Sequence, residues 1–271
     1  MRAFNRVVGE FVELPDHPSK IISLAPSITD ILFRLGVQDR VVGLSGFCHR
    51  PPETKKYPKV GSYLYVNYKR LDSLEPDLIL TTGGVETKIA KELFEKGYPV
   101  FSLPLPTDPW EILSGVHLLG VVLGVQERAR ELVSEIEEKF LSLKNSFRGI
   151  KTYVEIDLGE PISVGGPSYI SAGLNWMGLV NIFSHREEAY FTPEDEEIVA
   201  LEPEVVLYDP KPHKKPSYEE VDEKLRQRGI LKESTKLIVT QGDWLAHYGP
   251  SFLDVILPDI RNRVRDLLRN K

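Results

Sequence analysis

Leu71-Asp72-Ser73-Leu74-Glu75-Pro76-Asp77-Leu78-Ile79-Leu80 returns later in the chain as Ile198-Val199-Ala200-Leu201-Glu202-Pro203-Glu204-Val205-Val206-Leu207. In both copies a short apolar-periodic turn meets Glu-Pro-acid and runs into a buried-strand sequence. An earlier pair precedes them: Ala25-Pro26-Ser27 leading to Leu35-Gly36, and Gly166-Pro167-Ser168 leading to Met177-Gly178. Two copies of one supersecondary order predict two similar lobes. A groove between two lobes is where a small ligand is expected to sit.

Outward from the first copy, Lys20 to Leu24, Val41 to Leu44, Leu78 to Thr81 and Tyr98 to Leu103 read as short strands. Ser27 is expected to cap a helix with Asp30 in the capping-box position, Ile28, Ile31, Leu32 and Leu35 on one face and Gly36 as its stop. Ile89 to Glu95 is a second helix, and Arg6 to Leu14 an edge strand or hairpin. Outward from the second copy the scheme repeats, with strands at 152–156, 204–208 and 236–240 and helices from Ser168 and over 218–228. Strands alternating with helices predict parallel βαβ units, hence an α/β fold with mainly parallel sheets flanked by helices. The expected division is a lobe over 1–108, a connecting helix over 109–148 that breaks near Gly124, and a lobe over 149–271. Asp108-Pro109 starts that helix as cap and first-turn proline. Its second piece carries Ala129, Leu132, Val133, Ile136 and Phe140 on one face and is roughly 25–30 Å long at 1.5 Å per residue. Lobes joined by such a rod are expected to move little against each other.

The chain has 271 residues, 41% of them hydrophobic, a net charge of −6 and a single cysteine, Cys48. An acidic chain with scattered lysines does not suit a nucleic-acid partner. The densest basic stretch, Lys211 to Lys215, reads as a solvated loop. One cysteine allows no internal disulfide. No stretch reaches the ~20 apolar residues of a membrane helix, so no membrane insertion is expected. Without a secretory segment after Met1 the expected location is the cytoplasm, or outside it if an export signal has been removed.

Lys20-Ile21-Ile22-Ser23-Leu24-Ala25-Pro26-Ser27-Ile28-Thr29-Asp30-Ile31-Leu32, then Pro51-Pro52-Glu53, then Leu74-Glu75-Pro76-Asp77-Leu78-Ile79-Leu80, resemble the class III substrate-binding proteins, the helical-backbone metal receptors. The likeness covers nearly the whole chain and is closest to the cobalamin and iron-siderophore binders of ABC importers. It implies two α/β lobes on one backbone helix, and non-catalytic capture of a flat metal chelate between them: a corrinoid such as cobalamin, haem, or a ferric siderophore. No cofactor is required, and a monomer is expected. The resemblance also implies docking on an ABC permease through one acidic residue per lobe. Glu196 keeps the second position, whereas the first, after Asn67-Tyr68, holds Lys69.

By the same resemblance Tyr63 and Tyr190 line the cleft, since rigid aromatic rings cover a broad apolar chelate face at low entropic cost. The bland alternative is a loop tyrosine packed on its own lobe. Phe47 falls in a cleft position too, or in the core. In Gln241-Gly242-Asp243-Trp244-Leu245-Ala246-His247-Tyr248, Trp244 belongs to the candidate ligand loop, Asp243 matches a polar contact and His247 a cationic one; helix capping and a satisfied surface histidine compete. Cys48-His49-Arg50 pairs a thiol with an imidazole, a soft metal pair, although a buried structural cysteine explains it as well. A rival function is a metal-dependent enzyme or direct metal binder using His49, Asp243 and His247. Glu155-Ile156-Asp157 offers paired carboxylates with no nucleophile motif nearby. Gly83-Gly84 and Gly165-Gly166 open no phosphate fingerprint and read as tight turns.

Overall fold

A computed structural model describes residues 1–62, 64–211 and 214–269. The chain divides into two compact units, the first formed by 1–105 and 112–135, the second by 106–111 and 136–271.

In the first unit β1 (Arg2–Asn5) and β2 (Glu10–Glu13) form an antiparallel hairpin. There follow β3 (Ile21–Ser23), α1 (Pro26–Arg34), β4 (Val41–Ser45), β5 (Lys59–Gly61), α2 (Tyr68–Ser73), β6 (Leu78–Thr82), α3 (Thr87–Glu95) and β7 (Val100–Leu103). The last five strands pair in the order β5-β4-β3-β6-β7, every pair parallel. Ile22, Ile79 and Val100 bury one sheet face against Leu71, Ile89 and Leu93. Parallel strands need both faces covered, and uninterrupted runs such as Leu78-Ile79-Leu80 supply that.

The first helix departs from expectation. Its N-cap is Ala25, with Pro26 and Ser27 already inside the helix and no side-chain cap. Proline favours the first helical position, and this carries Ser27 past the place where its hydroxyl could cap. Ser27 Oγ is buried with no hydrogen-bond partner.

Next come α4 (Pro109–Val122) and α5 (Gln126–Leu141), separated at Gly124, whose φ is +70°. In the second unit the elements are β8 (Ile150–Asp157), β9 (Pro161–Val164), α6 (Tyr169–Met177), β10 (Leu179–Asn181), β11 (Tyr190–Phe191), α7 (Asp195–Leu201), β12 (Val205–Asp209), α8 (Tyr218–Gln227), β13 (Lys236–Val239) and α9 (Leu257–Arg269). Strands β10, β8, β12 and β13 are mutually parallel where they pair. Two antiparallel additions, β9 on β8 and β11 on β9, were not foreseen. Here Ser168 does cap, its Oγ accepting from Ile170 N at 3.2 Å. Trp110 and Trp176 meet edge to face at 6.0 Å, and Trp176 stacks on Phe140 at 5.3 Å.

Candidate ligand-binding site

In an open parallel sheet the chain reaches its ligand from loops at the carboxyl ends of the strands. In the first unit these loops follow β4, β5 and β6, and they bear an apolar rim. Leu64 is 80% exposed, Tyr65 61% and Val85 64%. Phe47, in the loop after β4, is half-buried, its N–H bonded to Ser45 Oγ at 3.2 Å. Tyr63, the tyrosine singled out from the sequence, lies outside the described residues. The loop that carries it is shaped by Gly61: a Cβ there would stand 2.1 Å from Tyr65 O, so only glycine admits the tight return. Ser62 N donates to Tyr65 O at 2.7 Å and closes the turn.

The same unit holds a buried polar cluster. Thr29 Oγ1 is 3.1 Å from Cys48 Sγ and 2.9 Å from Ser23 Oγ, and Lys59 Nζ donates to Cys48 O at 2.7 Å. Burial pushes the Cys48 thiol up to about 11, so it stays neutral and is a structural group. His49 is exposed, its Nδ1 2.8 Å from Phe47 O. Glu86 is fully buried; its Oε2 accepts from Thr82 N and Oγ1 at 2.7 and 3.0 Å, while Oε1 has no partner. Burial lifts its carboxyl to about 7. Sequence reading missed Glu86, because nothing in Gly83-Gly84-Val85-Glu86 distinguishes a buried acid from a surface one.

In the second unit the corresponding loops follow β8, β12 and β13. The β13 loop is fastened by Asp209, which accepts from Trp244 N at 3.1 Å, Leu245 N at 3.0 Å and the hydroxyl of Thr240. Burial raises the Asp209 carboxyl to about 6. Tyr169 OH donates to Leu245 O at 2.5 Å and its ring packs on Tyr248 and Phe252. Tyr190 is 37% exposed, and burial of its phenol lifts it to about 12, against the opposing pull of the neighbouring Ser168 and Tyr169 side chains. Tyr169 thus holds the Asp243–Tyr248 loop from the first turn of α6. The strand leading to Tyr190 crosses Gly165, where a Cβ would stand 2.1 Å from Glu188 O. Asp243 is half-buried with φ +49°, its N–H bonded to Pro210 O at 3.3 Å. Trp244 and His247 are buried at 9% and 7% exposure, so their bulk supports the loop. Leu158, 61% exposed after β8, was not anticipated.

The carboxylates of Glu155-Ile156-Asp157 are structural. Glu155 is fully buried and holds Arg228 Nη1 at 2.7 and 2.8 Å, and Arg228 reaches Asp195 at 2.7 Å. Asp157 accepts from Tyr208 OH at 2.7 Å. Among the described residues no three His, Cys, Asp or Glu side chains gather as a metal site, so the grouping of His49, Asp243 and His247 gains no support. Glu196 is exposed on the first turn of α7, and Lys69 is exposed on α2.

Residues 21–235 match the family model described as periplasmic binding protein. An uncharacterised ABC transporter substrate-binding lipoprotein of Bacillus subtilis is 26% identical over 206 residues, 72% of this chain and 65% of the relative. A vitamin B12-binding protein of Vibrio parahaemolyticus is 24% identical over 192 residues, 69% of this chain and 70% of the relative. Among solved structures, the petrobactin-binding protein of Bacillus subtilis superposes with a TM-score of 0.79 at 16% identity, over 97% of each chain. A periplasmic haem-binding protein from Roseiflexus gives 0.74 at 19% identity, over 90% of this chain and 96% of its own. These matches overturn the cytoplasmic expectation. They include a substrate-binding lipoprotein and a periplasmic haem-binding protein, and the family model itself is of periplasmic binding proteins.

Proposed function

The chain belongs to the periplasmic binding protein family, and from that premise we propose that it captures a metal chelate, with cobalamin as the first candidate. It is a substrate-binding protein, not an enzyme. Such proteins bind small molecules and work with ABC permeases; the chelate is cargo, not a cofactor.

The observation that carries the ligand class is the exposed apolar rim of Leu64, Tyr65 and Val85 at the carboxyl end of the first unit's sheet. Large apolar side chains exposed in loops at one sheet end are costly in water and suit a ligand with a broad apolar face. Support in the second unit comes from Tyr190 and Leu158, with Asp243 as hydrogen-bond acceptor for amide or amine groups. Tyr63 and Phe47 belong to the same proposed set, and the nearly buried Trp244 and His247 enter it through the small part of each that stays exposed. Vitamin B12 is the ligand named for several curated relatives, while solved neighbours bind haem and a ferric hydroxamate.

Absorbance and tryptophan-fluorescence titration with cobalamin, haem and a ferric hydroxamate tests the reading. At least one should bind well below 100 µM, that is, by more than about 5 to 6 kcal/mol. Failure of all three would end it. A permease contact through Glu196, with Lys69 as an oppositely charged counterpart, is part of the proposal. Glu196→Lys should weaken association with vesicles carrying the cognate permease and leave ligand titration unchanged; no change in association would remove Glu196 from the contact.

A further inference from the structure

Lysines that read from sequence as a solvated loop stand at a hollow of 570 Å³ in the second unit, lined by Asp157, Tyr208, Lys214, Lys215, Glu220 and Lys224 among others. That volume suits a small organic molecule. The acids in its wall are already committed. Asp157 accepts from Tyr208 OH at 2.7 Å and Gly159 N at 2.9 Å, and Glu220 Oε2 accepts from Ser217 N at 2.7 Å to close the capping box of α8. Lys224 is held too, 3.0 Å from Tyr208 OH and 3.7 Å from Glu155.

The remaining cations are less engaged, Lys211 acting on Asp157 only through its charge. Lys211 Nζ lies over Gly159, where a Cβ would stand 2.5 Å from it, so glycine at 159 lets this ammonium settle on the loop. Lys214 N bonds to Lys211 O at 3.0 Å, and Lys214 and Lys215 line the hollow. Among the described residues neither of those two ammonium groups has a hydrogen-bond or ion-pair partner. Lys214, Lys215 and Lys224 outnumber the two carboxylates of the lining, Asp157 and Glu220, and net positive charge around a concave space attracts an anion.

We infer that this hollow is a binding site for a multivalent oxyanion, carboxylate or phosphate, borne either by a free small molecule or by an acidic arm of a larger ligand. Pro210 and Lys211 abut the candidate ligand loop, through Asp243 N to Pro210 O at 3.3 Å, so either source has access. The hollow takes its charge from the chain, whether or not the chain carries a chelate.

Calorimetric titration of the full chain with citrate and with inorganic phosphate at low salt is the test. Lys214→Ala combined with Lys215→Ala should weaken binding at least tenfold, and added salt should weaken it further. The equally charged control, Lys55→Ala with Lys56→Ala on the first unit, should change it less than twofold. Haem against its dimethyl ester separates the sources. If the double variant weakens haem and spares the ester, the acid arrives on the cargo; if citrate or phosphate alone is affected, the site takes a free anion. The inference is wrong if neither citrate, phosphate nor haem responds to the double variant, or if the control weakens them equally. Should no tetrapyrrole bind at all, the citrate and phosphate titrations still decide it.

Discussion

The two units share a grammar and differ at their rims. Both Glu-Pro phrases are one device used twice. Glu75 and Glu202 sit in left-handed backbone at φ +47° and +52°, just past α2 and α7. A side chain there costs about 1 kcal/mol or more, and in each unit a lysine meets the glutamate at the surface. Lys20 Nζ meets Glu75 at 2.8 Å, and Lys232 Nζ meets Glu202 at 3.0 Å. The acid after the proline fastens the neighbouring strand, Asp77 accepting from Ser19 N and Lys20 N, Glu204 from Lys151 N. The rims show no such kinship. Leu64, Tyr65 and Val85 make the first apolar, while Tyr190, Asp243 and the lysines make the second mixed and charged. A repeat specifies a sheet; the loops it leaves open specify what the sheet holds.

The contrast can be broken most severely at the buried charges. The second unit pairs Glu155 with Arg228, the first buries Glu86 beside neutral donors only. Arg228→Ala should cost up to about 3 kcal/mol in urea unfolding, because the buried Glu155 would keep only Tyr153 OH at 2.8 Å and Lys224 at 3.7 Å. A loss below about 1 kcal/mol would mean the pair is not buried as described.

Glu86 carries the opposite sign. Its folded carboxyl titrates near 7 against an ordinary 4.5, so the folded chain holds the proton more tightly than the unfolded one. Stability should therefore fall as pH rises from about 4.5 to 7 and level off above. Asp209, raised to about 6, adds a decline of the same sign between about 4 and 6. Glu86→Gln should remove its share and stabilise the chain at pH 8 by on the order of 1 to 3 kcal/mol; melting temperatures from pH 4.5 to 8.5 read this directly. A variant whose pH profile matches the parent would place the charge elsewhere.

At the rims, Leu64→Ser with Tyr65→Ser should weaken whichever chelate binds by about tenfold, some 1.4 kcal/mol, with no loss in melting temperature. An unchanged affinity would detach the apolar rim from binding. The smallest difference separates the two Pro-Ser starts. Ser168→Ala should cost about 1 kcal/mol as a lost cap, whereas Ser27→Ala removes a buried hydroxyl without a partner and should cost nothing or stabilise slightly. Equal costs would show that Ser27 caps after all.

These pairs also mark what the sequence could tell. The Glu-Pro phrase was legible because its proline, its acid and its apolar run each act on neighbours a few residues away. The parallel strands were legible for the same reason. The cap at Ala25 was not, since Pro26-Ser27 and Pro167-Ser168 read alike and only the chain before them decides which residue stays outside the helix. Strands β9 and β11 were hidden: four and two residues long, they owe their existence to pairing with β8 and to each other. The polar contacts around Asp209 and Glu86 link residues whose role depends on burial, which no local pattern announces. Leu64 and Tyr65 stood in plain view beside Tyr63, but apolar residues in a loop look the same buried or bare until the loop is placed.

One feature of the connecting helices bears on how the protein is made. Residues 112–135 belong to the first unit and 106–111 to the second, so neither unit is an unbroken length of chain. Val116, Leu119, Leu123 and Ala129 are buried and arrive late. During synthesis the first unit cannot be completed until the ribosome has passed residue 135, and a fragment stopped at 108 would expose the apolar surface that those side chains cover.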